Sequence, residues 1–241
     1  MSVAVATPPS AMGAADSPSA AGRSEARSSS WRRSDSAQRG WWIAAFLILS
    51  GLAAVLAWDA VKYDFIAKRF GVVEDGGLFR SGQISAAMFV PTIEEHEIDT
   101  VICLMGNDKT EPDHQEEVAA VEAMEDVKFE RFPLRGDGTG DFETYFNALA
   151  SLTSARRADR KVLVHCAAGS QRTGSIVAAY RLLVLRDDPA DVYAELGRYG
   201  WEPEDAAMLD YLNQHLPECA RRLYERGLIS EIPDPMPVLG P

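Results

Sequence analysis

The run Val162-Leu163-Val164-His165-Cys166-Ala167-Ala168-Gly169-Ser170-Gln171-Arg172-Thr173-Gly174 holds the residue types and spacing for nucleophilic chemistry on an anion. Its apolar start predicts a buried strand that delivers Cys166 at its end. After a tight loop and Arg172, Thr173-Gly174 opens an amphipathic stretch, Ser175 to Leu185, whose spacing predicts a helix. A thiol so placed lies among backbone N–H groups at a helix N-terminus, where partial positive charge gathers. Such a setting stabilises a thiolate and binds a phosphate dianion equally well. Cys166 would attack phosphorus as thiolate and form a cysteinyl-phosphate intermediate. A free thiol titrates near ~8.5, so the loop amides, the helix dipole and Arg172 must lower that value. The Arg172 fork matches two phosphate oxygens, and Gly169 lets the loop turn inward where a Cβ would clash.

Two blander readings compete. A lone Cys at a strand end is an inert core residue, but here His165, Gly169, Arg172, Thr173 and Gly174 all stand in register with it. Gly169 to Gly174 mimics a nucleotide-binding loop, yet Ser175 follows where a Lys is required. Breaking a phosphate ester also needs a general acid. Upstream, Phe129 to Leu134 predicts a strand running into a Gly-rich loop, Arg135 to Asp141, which offers two carboxylates. Asp137 lies 29 positions before Cys166, and Asp141 lies 25 before it at a position suited to capping a helix over Phe142 to Ala155.

His-Cys, five residues, Arg and Thr-Gly together resemble the signature loop of the cysteine-dependent protein tyrosine phosphatases. The spacing and flanks look most like the compact dual-specificity branch, and the resemblance covers roughly Gly71 to Gly227. It implies catalysis by Cys166 and Arg172 without cofactor or metal, and a phosphate bound by Ala167, Ala168, Gly169, Ser170, Gln171 and Arg172. The family's acid sits on a mobile loop at the distance Asp137 holds, so Asp137 is preferred to Asp141. The resemblance further implies that the Thr173 hydroxyl supports the thiolate as leaving group and that His165 orients the loop. Leu78 to Gln83 is similar to a segment near the start of many small bacterial and dual-specificity phosphatase domains. Arg80 there serves either the active-site rim or, with more weight, a structural ion pair.

Relatives acting on phosphoinositides or inositol polyphosphates often carry Lys or Arg inside the loop. Ala167, Ala168, Ser170 and Gln171 are neutral, which favours a simple monoester such as phosphotyrosine. The long insertions of large tyrosine-specific enzymes are missing, so phosphoserine and phosphothreonine stay open. A lipid or inositol phosphate and a non-catalytic phosphate-binding module are the alternatives. A rhodanese-like sulfurtransferase is disfavoured by Thr173-Gly174 and the upstream Asp loop.

The elements that must position these residues read as α/β: a mostly parallel central sheet flanked by helices, as in protein tyrosine phosphatases. A hairpin is expected over Val72 to Ser81, with a further strand over Thr100 to Leu104. Helices are expected at Ser85 to His96, Glu111 to Met124, Pro189 to Arg198 and Pro203 to Arg226, the last with Pro203 at its first position. His96, His114 and His215 belong to no motif and are expected at the surface. Cys103 and Cys219 suggest neither a metal site nor a disulfide set.

The chain carries net charge −12, unevenly: residues 1–40 contribute +2, so the remainder carries −14. An acidic domain argues against nucleic acid as partner. Residues 1–40, rich in Ala, Ser, Pro and Gly, read as a disordered tail. Trp41 to Trp58 holds no charge, spans ~27 Å as a helix against a ~30 Å hydrocarbon core, and ends in Trp at both sides. It is expected to cross a membrane once. Residues 59–70 form a linker, 71–228 the phosphatase domain and 229–241 a Pro-rich tail. Five Arg precede the helix, while Lys62, Lys68 and Arg69 follow it. The positive-inside rule therefore favours an extracytoplasmic catalytic domain.

Overall fold

The computed structural model describes residues 29–107, 110, 112–124 and 126–240. The chain divides into two compact units, with Trp58–Pro241 as the second. Helix α1 (Ser29–Val61), most of which falls in the first, includes Arg39–Val61, 23 residues of mean hydropathy 2.0, long and apolar enough to cross a membrane by length and composition. Most of the expected tail, residues 1–28, lies outside the described residues. Residues 29–40 are helical instead. Arg32, Arg33, Ala37, Gln38 and Arg39 are good helix formers and no Pro falls among them, a local signal that the composition of the first forty residues dilutes. A short 3₁₀ turn, Lys62–Asp64, follows α1.

The second unit carries a five-stranded sheet in the order β1-β2-β5-β3-β4. Strands β1 (Gly71–Glu74) and β2 (Leu78–Ser81) form the expected antiparallel hairpin. β3 (Thr100–Cys103), β4 (Lys128–Arg131) and β5 (Val162–His165) add in parallel. Every residue of β2, β3 and β5 is buried, as strands covered on both faces require. Alternation sends Leu78, Ile102, Val162 and Val164 into one core and Phe79, Val101 and Leu163 into the other. Helices α2 (Ala86–His96) and α3 (Pro112–Glu122) serve the smaller core. The larger core takes α4 (Phe142–Arg157), α5 (Gln171–Tyr180), α6 (Pro189–Arg198) and α7 (Ala206–Glu225).

Register is what builds the site. Ser81 pairs with His165, His165 with Cys103, and Cys103 with Arg131, so four strands end level at their carboxyl edge. Open α/β sheets bind ligands at that edge. Two expectations need correction, and the tail gains a docking contact. Helix α5 starts at Gln171, four residues before the predicted Ser175, and ends at Tyr180 in a wide π-type turn, Arg181–Leu185. Arg172 and Thr173 therefore lie within its first turn, where no apolar residue marks the helical period. Pro203 is not the first residue of α7, which starts at Ala206 after a turn. The Pro-rich tail is docked: the Asn213 side chain donates to the Leu239 carbonyl and accepts from its amide, both at 2.8 Å, and Leu239 is buried.

Candidate active site

Cys166 follows β5 directly, and α5 begins five residues later. Gly169 turns the intervening loop with φ +77°, and its amide donates to Cys166 Sγ at 3.2 Å. A Cβ at Gly169 would stand 2.5 Å from the Gly82 nitrogen, so only glycine lets the loop close on the end of β2. Burial alone would push the Cys166 thiol up. The Thr173 hydroxyl and amide, the Arg172 charge and the Gly169 amide outweigh it and hold the thiol below its ordinary value. Arg172 is half-buried beside the loop, on the same first turn of α5 as the buried Thr173. Ser170 takes the N-cap position, and Gln171 donates to Asp205 at 2.6 Å.

The two upstream carboxylates separate cleanly by geometry. Asp141 caps α4, accepting from the Thr144 amide at 3.0 Å. Asp137 is exposed on the loop, where its carboxylate accepts from the Thr139 hydroxyl at 2.7 Å and amide at 3.0 Å. Those two bonds hold its pKa below the usual carboxylate value. Its neighbour Gly138, at φ +83°, is pressed against the start of α5: a Cβ there would meet the Gln171 carbonyl oxygen at 2.9 Å. The Asp137 loop thus touches the exit of the Cys166 loop.

A family model described as dual specificity phosphatase, catalytic domain, matches residues 81–189, which hold both loops. Over those residues the chain is similar to the catalytic domain of the dual specificity phosphatases, the cysteine-based branch that the His165–Gly174 loop resembles. Solved structures of similar fold include a Cys-to-Ser form of P. aeruginosa TpbA in complex with pTyr. It is 21% identical, with 64% of this chain and 95% of that chain covered, at TM-score 0.50. The catalytic core of the PP-IP phosphatase SIW14 from S. cerevisiae, in complex with citrate, is 17% identical over 72% and 98% of the two chains, at TM-score 0.54. PTPMT1 is 17% identical over 65% and 99%, at TM-score 0.51. A search of curated protein sequences returned no match.

Beneath the phosphatase loop lies a buried polar layer that the sequence does not announce. His165 Nε2 sits 2.9 Å from Glu117 Oε1 on α3, at an angle outside that of a hydrogen bond, and both side chains are fully buried. Burial pulls the imidazole pKa down, but the Glu117 charge and Cys103 raise it well above its ordinary value. Glu117 feels burial upward, and the charges of His165, Arg131 and His114 bring it below the ordinary value. Cys103, Glu117 and His165 bring ligand atoms within 4.8 Å of one another. Arg131 Nη1 already donates to Cys103 Sγ at 3.2 Å, so a fixed cation sits where a metal would have to go. The residues do not fit a metal centre.

The histidines depart from expectation. His114 is buried beside Arg131 and Glu117; His96 stacks on Phe70, and His215 on Phe142. A helical histidine four residues from an apolar position carries no sequence signal that separates a surface from an interior role. Arg80 is also buried: it pairs with Glu195 at 2.6 Å, lies over the Tyr199 ring at 3.7 Å, and donates to the Gly169 carbonyl at 3.0 Å. The expected ion pair and a contact to the catalytic loop are one arrangement.

Proposed function

We propose that this phosphatase hydrolyses singly phosphorylated monoesters of the phosphotyrosine type through a cysteinyl-phosphate on Cys166. The Cys166 thiolate attacks phosphorus, and the bond to the ester oxygen breaks. Arg172 and the amides of residues 167–172 hold the three non-bridging oxygens, where charge develops. Asp137 gives its proton to the departing oxygen. As a carboxylate it then takes a proton from the water that attacks the phospho-cysteine, and Thr173 stabilises the thiolate that leaves. The observation that carries this reading is the Cys166 thiol, buried yet held below its ordinary pKa by donors at the head of α5.

Neutral side chains at 167, 168, 170 and 171 favour one phosphate over several, and Gln171 is engaged by Asp205. Arg39–Val61 would anchor the enzyme, and the Arg-rich stretch before it favours an extracytoplasmic domain. The test is hydrolysis of an aryl phosphate, a phosphotyrosine peptide and an inositol polyphosphate by the full chain in detergent, with EDTA, beside Cys166→Ser. The expected result is turnover of the first two, faster than the third and lost in the variant. Absence of turnover in the unmutated chain, or its survival in Cys166→Ser, would overturn the reading.

A further inference from the structure

We propose that Arg69, on the segment leading into β1, is a positioning residue of the phosphate loop that orients the Ala168–Gly169 peptide so that its N–H faces Cys166. The proposal rests on the phosphatase reading above. A loop that turns its N–H groups inward to an oxyanion turns its carbonyls outward, because the two point in opposite directions across a trans peptide. Each outward carbonyl then needs a donor.

Four consecutive carbonyls of this loop have one. The Ala167 oxygen accepts from the Gln83 amide at 3.2 Å, and the Ser170 oxygen from the Gly174 amide at 2.7 Å. The Ala168 oxygen accepts from Arg69 Nη1 at 2.7 Å, and the Gly169 oxygen from Arg80 Nη2 at 3.0 Å. Both guanidinium groups come from outside the matched residues 81–189. Ala168 C=O and Gly169 N–H belong to one rigid peptide plane. The bond that Arg69 makes behind that plane therefore fixes the bond that Gly169 makes to Sγ in front of it, at 3.2 Å.

Arg69 is itself held on both sides. The Gly82 amide donates to the Lys68 carbonyl at 2.7 Å, and Phe70 stacks on both Phe79 and His96, at ring distances of 5.7 and 4.6 Å. Arg69 has φ +47°, and its guanidinium packs on Gly200, where a Cβ would come within 3.0 Å. The segment expected as a passive linker is thus part of the wall of the active site.

The experiment compares the full chain in detergent with Arg69→Ala, Arg69→Lys and the control Lys62→Ala, a neighbour whose cation pairs with Asp59. Three quantities are read: the pH profile of iodoacetamide alkylation at the Cys166 peptide by mass spectrometry, inhibition by inorganic phosphate, and the thermal midpoint. Arg69→Ala is expected to move the alkylation inflection to higher pH and weaken phosphate inhibition about tenfold, as loss of one charge-assisted bond implies. Arg69→Lys recovers part of both, and Lys62→Ala changes neither. An alkylation profile and phosphate inhibition unaltered in Arg69→Ala would overturn the proposal. So would a lowered thermal midpoint as the sole change in Arg69→Ala and Arg69→Lys. Failure of the phosphatase reading shows separately, as absence of turnover by the unmutated chain.

Discussion

Cys166 and Cys219 are thiols of equal burial with opposite fates. Burial pushes Cys219 up to about 12, whereas Thr173, Arg172 and the Gly169 amide bring Cys166 down. Donors, not exposure, make the nucleophile. Asp137 follows the same logic in reverse, because the donors that hold it low also deplete its protonated form as pH rises. The alkaline limb of kcat/KM should belong to this carboxyl. Thr139→Ala removes one donor and should move that limb to higher pH. Asp137→Asn should erase it and lower kcat by roughly 10²–10⁴-fold, while Asp141→Asn, touching only the α4 cap, leaves the limb in place. A limb that disappears in Asp141→Asn and persists in Asp137→Asn would transfer the role. The contiguous motif from His165 to Gly174 was legible because strand, loop and helix follow one another along the chain. Arg69 was not, since its partner Ala168 lies 99 positions away and nothing in a linker marks it.

Helix α3 is fastened to the end of β5 through Glu117 and His165, directly behind the nucleophile. Neither residue is exposed, so removing one partner leaves the other charge buried, at a cost of about 3–5 kcal/mol. With Glu117 lowered and His165 raised, the pair stabilises the fold fully above the unfolded carboxyl value of about 4.3 and below the unfolded imidazole value of about 6.5. The contribution fades as pH falls through the folded Glu117 value or rises through that of His165. In Glu117→Gln, burial acts on His165 without its counter-charge. That variant should lose stability as pH falls through about 6.5, an interval in which the unmutated protein holds. Urea midpoints at pH 7.5 and 5.5 check this, and parallel changes in the two proteins would contradict it. The α/β alternation and the mostly parallel sheet followed from apolar runs and helical periodicity, whereas the strand order came from the structure. The Glu117 contact did not, because α3 carries a weak apolar face and its inward Glu looks like any solvated one.

Across the whole molecule, a strongly acidic catalytic unit concentrates positive charge at one loop. Arg69, Arg80 and Arg172 gather there against a global field that repels anions, so recognition of phosphate has to be local and short-ranged. The long apolar helix was legible from composition alone, while its start at Ser29 and the docking of the Pro-rich tail through Asn213 required the structure. The proposed reaction turns on a covalent step at Cys166 Sγ. The most direct measurement is acid quenching of the full chain during turnover of an aryl phosphate, followed by mass spectrometry of its peptides. A covalent route through Cys166 leaves phosphate on the Cys166 peptide, formed in the presence of EDTA and absent in Cys166→Ser. Turnover with no phosphorylated thiol, undiminished in Cys166→Ser, would contradict it.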